Sequence, residues 1–284
     1  MNFQPLVEAF QQAKATYGGE LLILDTETIT RMSDRVDIAI VIPAYCEREN
    51  LVELIPAIHD QFRDVPSLVG VQYSVIPVVE RNSVDCDFLN GLGAISIERA
   101  PSDSFGDAMR TGIARGCEVA RNVIVMDADG SHAPTTIPRL WEARQDTPDA
   151  DIVIASRYVA GGSTANNFPL RVMSRSLNLA YSLVLSLDVR DISTNFKLYR
   201  SELLRDMELE SVNFDIVEEI LAKAAFSNHT LTIVEIPDHF HARKYGESRR
   251  HLGPFVLTYL LTLIRLRIKM SSRRDRGRAG RTSK

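Results

Sequence analysis

Apolar runs alternate with helical patterns through the first half of the chain, and this alternation restricts the fold more than any other feature. Residues 38–42 read Ile-Ala-Ile-Val-Ile, 75–79 Val-Ile-Pro-Val-Val, 94–97 Ala-Ile-Ser-Ile, 123–126 Val-Ile-Val-Met and 151–155 Asp-Ile-Val-Ile-Ala. Short continuous apolar runs suit strands buried on both faces of a parallel sheet. Helical patterns lie between them over 50–62, 105–121 and 137–145. Ala108, Gly112 and Ala114 are small packing positions on the second of these. Pro138 is tolerated in the first turn of the third. Strands that alternate with helices build βαβ units. The expected class is therefore α/β, with a mostly parallel sheet flanked by helices. In such sheets ligands bind beyond the carboxyl ends of the strands. That rule directs attention to residues 43–47, 80–83, 127–132 and 156–162.

The third of these segments carries the sharpest chemistry. Val123-Ile-Val-Met-Asp127-Ala-Asp129-Gly-Ser-His132 brings a buried strand to two carboxylates spaced two apart. On extended backbone such side chains share one side. Two hard oxygen ligands on a rigid strand end suit Mg²⁺ or Mn²⁺, with substrate phosphate completing the coordination. A solvated Asp-x-Asp turn is the plainer alternative. Arg157, Arg171, Arg175, Arg190, Arg243 and Arg249 are spread over predicted strand ends and loops. Each offers a planar fork for phosphate oxygens or, singly, a surface ion pair. His239-Phe-His241 can set two imidazoles on one strand face, but no third ligand has a clear spacing. Dinucleotide, P-loop, serine-hydrolase and zincin signatures are absent.

Charge is distributed unevenly. From Arg265 to Lys284 nine Lys or Arg face one Asp, a net of +8, so a chain of net −4 carries −12 before that point. Just upstream, Phe255, Leu257, Leu260, Leu261, Ile264 and Ile268 recur at helical spacing. An apolar stripe followed by a polybasic tail suits an anionic membrane surface. A helix packed on the domain with a basic end is the other reading. An acidic body without aromatic interleaving makes nucleic acid the weakest partner. The apolar stretch near the end is about half the length of a bilayer span. Three scattered cysteines, Cys46, Cys86 and Cys117, fit a reducing compartment rather than a disulfide framework. The expectation is a cytoplasmic protein held peripherally on the inner membrane face.

Residues 37 to about 253 resemble the family 2 glycosyltransferases of the GT-A, Rossmann-like type, and most closely the dolichyl- or polyprenyl-phosphate mannosyltransferase branch. The carriers are Val41-Ile-Pro-Ala-Tyr-Cys-Glu47-Arg-Glu-Asn50, Arg110-Thr-Gly112, Met126-Asp-Ala-Asp-Gly-Ser-His132, Ser156-Arg-Tyr158 with Gly161-Gly162, and Pro169-Leu-Arg171 with Ser174-Arg175 and Asn178. Val189-Arg-Asp-Ile-Ser-Thr-Asn-Phe196 and Arg243 with Gly246-Glu-Ser-Arg249 complete the pattern. The resemblance implies a single catalytic domain over 37–253, an extension over 1–36, and an amphipathic helix with a basic tail over 254–284. It implies that Pro43, Tyr45, Glu47, Glu80 and Arg110 serve the nucleotide. It implies Asp127 and Asp129 as ligands of the divalent ion. It implies that Arg157, Arg171, Arg243 and Arg249 grip the diphosphate and the acceptor phosphate. The activity implied is inverting transfer of a hexose, mannose or glucose, from a GDP- or UDP-sugar to a lipid phosphate. A soluble acceptor, or an inactive membrane-bound homologue, are the alternatives.

Three departures stand out. Where the branch shows V-D-D-x-S, this chain has Val79-Glu80-Arg81-Asn82-Ser83, which leaves the base open. Asn195 replaces a glycine and is expected to tolerate a positive φ. Arg249 stands where lysine is usual. A phosphate acceptor needs no strong base, whereas a hydroxyl acceptor needs a carboxylate. Glu218 and Glu219 are the candidates, expected to be exposed helix charges otherwise.

Overall fold

β1 (Val36–Pro43) is the strand that the first apolar run predicts, and residues 38–42 are fully buried. Its alternate side chains enter two different cores. Ile38, Ile40 and Ile42 face one, and Val41 faces the other. Each such aliphatic side chain contributes about 1.5–3 kcal/mol on leaving water. The computed structural model describes residues 35–83, 85–226 and 230–244. Around β1 it builds a seven-stranded sheet with β2 (Tyr73–Val79), β3 (Ile97–Glu98), β4 (Ala120–Val125), β5 (Ile152–Ser156), β7 (Lys197–Arg200) and β8 (Ile233–Pro237), in the order β3-β2-β1-β4-β7-β5-β8. All pairings in it are parallel except those of β7, which runs antiparallel to both β4 and β5. A small second sheet pairs β6 (Ser163–Thr164) with β9 (His239–Phe240).

Helices cover both faces. α1 (Arg48–Asp64), α2 (Cys86–Gly91) and α4 (Ile137–Asp146) pack on the face of Ile38, Ile40 and Ile42. α3 (Phe105–Val119), α5 (Phe168–Leu185) and α7 (Ile216–Ala225) pack on the face of Val41. A short α6 (Ser201–Arg205) follows β7. The expected mostly parallel α/β sheet is thus present. Two boundaries differ from the sequence reading. The helix expected to reach residue 121 ends at Val119, because Ala120 is extended (φ −131°, ψ 159°) and already begins β4. The strand expected over 94–97 shrinks to two residues, since the amide and hydroxyl of Ser96 both bond Asn90.

α3 lies against the sheet through its small residues. A Cβ on Gly112 would stand 2.3 Å from Cγ1 of Val41 and 2.9 Å from Cγ2 of Val78. Both valines are fully buried and have no room to retreat. Gly112→Ala is therefore expected to destabilise the protein by about 1–3 kcal/mol through overpacking. An unchanged urea midpoint would show that the helix can lift off at no cost.

Candidate active site

The carboxyl end of β4 is an ordered turn. The amide of Met126 bonds the Val41 carbonyl at 3.1 Å, which carries extended backbone to the threshold of Asp127. The chain then reverses through Gly130, at φ 76°. A Cβ there would meet Lys244 at 3.1 Å, so both backbone and space call for glycine. Asp129 closes the turn, its Oδ1 accepting from the Ser131 amide at 3.0 Å and the Ser131 hydroxyl at 2.5 Å. The Asp127 amide donates to Nδ1 of His132 at 3.0 Å. That bond requires an unprotonated Nδ1, so Nε2 carries the proton, 4.0 Å from Oδ2 of Asp127. His132 is buried, stacked on Phe196 (4.9 Å between centroids) and edge-on to Phe240 (5.5 Å). Asn195 donates from Nδ2 to Oδ1 of Asp127 at 2.9 Å.

Arg243 joins the turn to the loop after β1. Its Nη2 lies 3.0 Å from Oδ2 of Asp129, and its Nη1 donates to Oε1 of Glu47 at 3.0 Å. Asn50 donates to the other oxygen of Glu47 at 2.5 Å. Two acids thus converge on one guanidinium. Burial pushes Asp129 upward, but the Ser131 bonds and Arg243 more than offset it and hold the carboxyl below its usual range. Burial dominates at Glu47, and Asp129 adds repulsion, so Glu47 is raised despite Asn50 and Arg243. As pH falls, Glu47 is the first of the two to take a proton.

Pro43, Tyr45, Glu47 and Glu80, expected to serve the nucleotide, lie at the ends of β1 and β2. Pro43 ends β1 in register with Val78 of β2. Glu80, just past β2, accepts from the Cys46 amide at 2.6 Å. Tyr45 presents an exposed ring with the Arg99 guanidinium 5.3 Å from its centroid. Arg99 is itself buried and bonds the carbonyls of Val78, Val79 and Asp103. Sequence reasoning does not single it out, although its place directly after the β3 run is a usable signal. Arg81 takes no part in this ring contact. Its side chain bonds the Pro101 carbonyl at 2.7 Å.

Other expected residues stand elsewhere. Arg157 was expected to grip phosphate, but it is committed to Asp191. Nε and Nη2 reach the two Asp191 oxygens at 2.8 and 2.7 Å, and the Arg157 amide adds a third bond. In this structure that fork holds a buried carboxylate and ties the end of β5 to the segment before β7. Arg110, expected to serve the nucleotide, also has protein partners. It bonds Asp107 at 2.5 Å and the Ser211 carbonyl at 2.7 Å, tying α3 to the loop before α7. Arg171 lies exposed near the start of α5, 5.9 Å from the Phe168 ring, with no bond to the acid cluster. Arg249 and the segment 254–284 fall outside the described residues. Asn195 does not use a positive φ.

Glu218 and Glu219 are buried, not exposed. Glu219 accepts from the amides of Glu210 and Ser211 and pairs with Lys223 at 2.7 Å. It is a loop anchor and no base. His239 bonds Ser163, while only the backbone of His241 reaches Ser131. Among the described residues no set of three His, Cys, Asp or Glu is arranged as a metal cage. Two carboxylates without a cage still fit Mg²⁺ or Mn²⁺, which take few protein ligands and share phosphate and water.

Known proteins share this layout. Residues 97–207 match the family model described as glycosyl transferase family 2. The dolichol-phosphate mannosyltransferase of Pyrococcus furiosus is 31% identical over 239 residues, 81% of this chain. The match spans 63% of that relative, less than two thirds of its length. The polyprenol monophosphomannose synthase of Mycolicibacterium smegmatis is 32% identical over 231 residues, covering 74% of this chain and 79% of that one. Among solved structures, glucosyl-3-phosphoglycerate synthase from Mycobacterium tuberculosis, in complex with Mn²⁺, UDP and phosphoglyceric acid, superposes with a TM-score of 0.62 at 17% identity. That comparison covers 84% of this chain and 80% of the other, and it concerns the fold alone. Sheet order, the acid pair at the tip of β4 and the sequence matches converge, and the chain belongs to glycosyl transferase family 2.

Proposed function

We propose that this protein is an inverting hexosyltransferase that moves mannose, or a close hexose, from a nucleotide-sugar to a polyprenyl-type lipid phosphate, with a divalent cation. The observation that carries the reading is the placement of Asp127 and Asp129 at the carboxyl tip of a buried strand, with both carboxylates partly open to solvent. A bound Mg²⁺ or Mn²⁺ would neutralise the charge that develops on the departing diphosphate. Asp127 and Asp129 would hold that ion. Arg243, which bridges Glu47 and Asp129 without it, supplies a positive charge that can turn to phosphate oxygens. Tyr45 and Glu80 would receive the base and ribose.

The acceptor side is supported by α5. Phe168, Val172, Leu179 and Leu183 are exposed at spacings of four and seven, and therefore share one helix face. Leu183 is 71% exposed and Phe168 69%. Arg171 and Arg175 flank that stripe. An apolar row edged by arginines fits a lipid chain with an anionic head. A phosphate oxygen is anionic at neutral pH and attacks without a protein base. The commitment of Glu219 to its loop agrees with this. Among the described residues no helix is long and apolar enough to cross a membrane. Attachment through the stripe and basic tail of 254–284, with 37–253 as the catalytic domain, is part of the proposal.

The test combines purified protein, Mn²⁺, a panel of GDP- and UDP-mannose and -glucose, and a membrane lipid extract. Label should enter an organic-extractable, acid-labile product only when lipid is present. Equal transfer without lipid would point to a soluble acceptor. A calorimetric titration with no metal-dependent nucleotide binding would identify an inactive homologue.

A further inference from the structure

Asn195 lies in the short segment between α5 and β7, and its carboxamide is used on one side only. Nδ2 donates to Oδ1 of Asp127 at 2.9 Å. Oδ1 is buried, and no donor among the described residues reaches it. The residue is 5% exposed. Turning the amide over would set its oxygen against the acceptor-only carboxylate of Asp127, so the orientation is fixed by chemistry. The backbone cannot relieve the oxygen either. Lys197 bonds the Ile192 and Thr194 carbonyls, Asn178 holds the Ser193 amide at 3.0 Å, and Glu235 holds the amides of Arg190 and Asp191. Phe196, the next residue, is stacked on His132. A buried amide oxygen without a donor carries a desolvation cost, and native proteins seldom retain one that nothing uses.

We propose that Asn195 contacts ligand: Nδ2 aims Asp127 while Oδ1 accepts a hydrogen bond from an O–H group of the bound donor complex. This rests on Asp127 being the donor-phosphate site. Two O–H groups have the required chemistry, a water on the divalent cation and a hydroxyl of the donor sugar. Asn195 accordingly sets donor affinity and is no part of the structural core. A hydrophobic or absent side chain at this position leaves Asp127 unaimed and the incoming O–H group unmatched.

The experiment titrates wild type, Asn195→Ala and Asn195→Gly with Mn²⁺ plus GDP or UDP, followed by calorimetry, and then with the matching nucleotide-sugars. Unfolding temperatures are taken with and without ligand. Both variants should unfold within about three degrees of wild type when free, and both should show a reduced ligand-induced rise. A Kd about tenfold weaker for Mn²⁺ with the diphosphate assigns the O–H group to cation-bound water. A nucleotide-sugar Kd that weakens about tenfold further than the diphosphate Kd assigns it to the sugar. Unchanged affinity for both, in variants of native stability, overturns the proposal. So does a loss of more than about ten degrees in both free variants, which would make Asn195 structural. If wild type itself binds neither ligand, the reading of the Asp127 site fails first and this inference falls with it.

Discussion

Asp127→Ala and Asp129→Ala should each reduce sugar transfer by about a thousandfold or more. A single preorganised stabilising group is worth about 2.7–4 kcal/mol in the transition state, and loss of a cation's anchorage removes more than one such interaction. The two variants should differ in their secondary effects. Asp129 also closes the turn on Ser131 and neutralises Arg243, so its loss frees a guanidinium beside Glu47. Among the described residues, the Asp127 carboxylate receives the Asn195 amide and the more distant His132, so its loss leaves the surrounding backbone in place. Transfer of labelled sugar with saturating Mn²⁺ reads the effect, and circular dichroism shows whether the fold persists. Either variant retaining a tenth of wild-type turnover would remove the acid pair from the mechanism.

Asp191→Ala should have the largest effect on stability. Asp191 is fully buried, and it accepts three bonds from Arg157, which is nearly buried as well. Removing one partner strands a charge in a low-dielectric interior, at a cost of about 3–5 kcal/mol. The urea midpoint should fall with an unchanged slope. The pH dependence has a definite sign. Burial pushes Asp191 upward, but Arg157 prevails and holds it below its ordinary value. Its contribution is therefore complete above the unfolded value, about 3.9, and is lost as pH falls through the depressed folded one. The gap between wild type and variant should be constant near neutrality and should narrow below about pH 4. A gap under about 1 kcal/mol at pH 7 would mean that Arg157 finds another partner at little cost.

Much of this was legible in the residues, and the rest was hidden for definite reasons. β1, β2, β4 and β5 announce themselves because a strand covered on both faces must be apolar throughout. β7 does not. Lys-Leu-Tyr-Arg is short and half basic, and its lysine is buried only because the Ile192 and Thr194 carbonyls receive its ammonium. Burial pulls that amine down to about 8 against the acids around it, a tertiary fact no local pattern conveys. Asp127 and Asp129 were readable because a strand end places them. The Glu47–Arg243 bridge joins residues 196 apart in sequence and depends on folding. Arg157 illustrates the converse. Its position after β5 is legible, but its pairing with Asp191, 34 residues away, is not.

The reversed direction of β7 has a consequence for how the enzyme can change. Lys197 stands in register with Val125 of β4 and with Ile154 of β5, so this strand begins where its neighbours finish. The six residues leading into it touch Asp127 through Asn195 and Arg157 through Asp191. A uniformly parallel arrangement would start its strands at the opposite rim, with two separate loops for these tasks. Here one short tether serves both, so inheritance cannot retune the surroundings of Asp127 without also disturbing the Asp191–Arg157 pair.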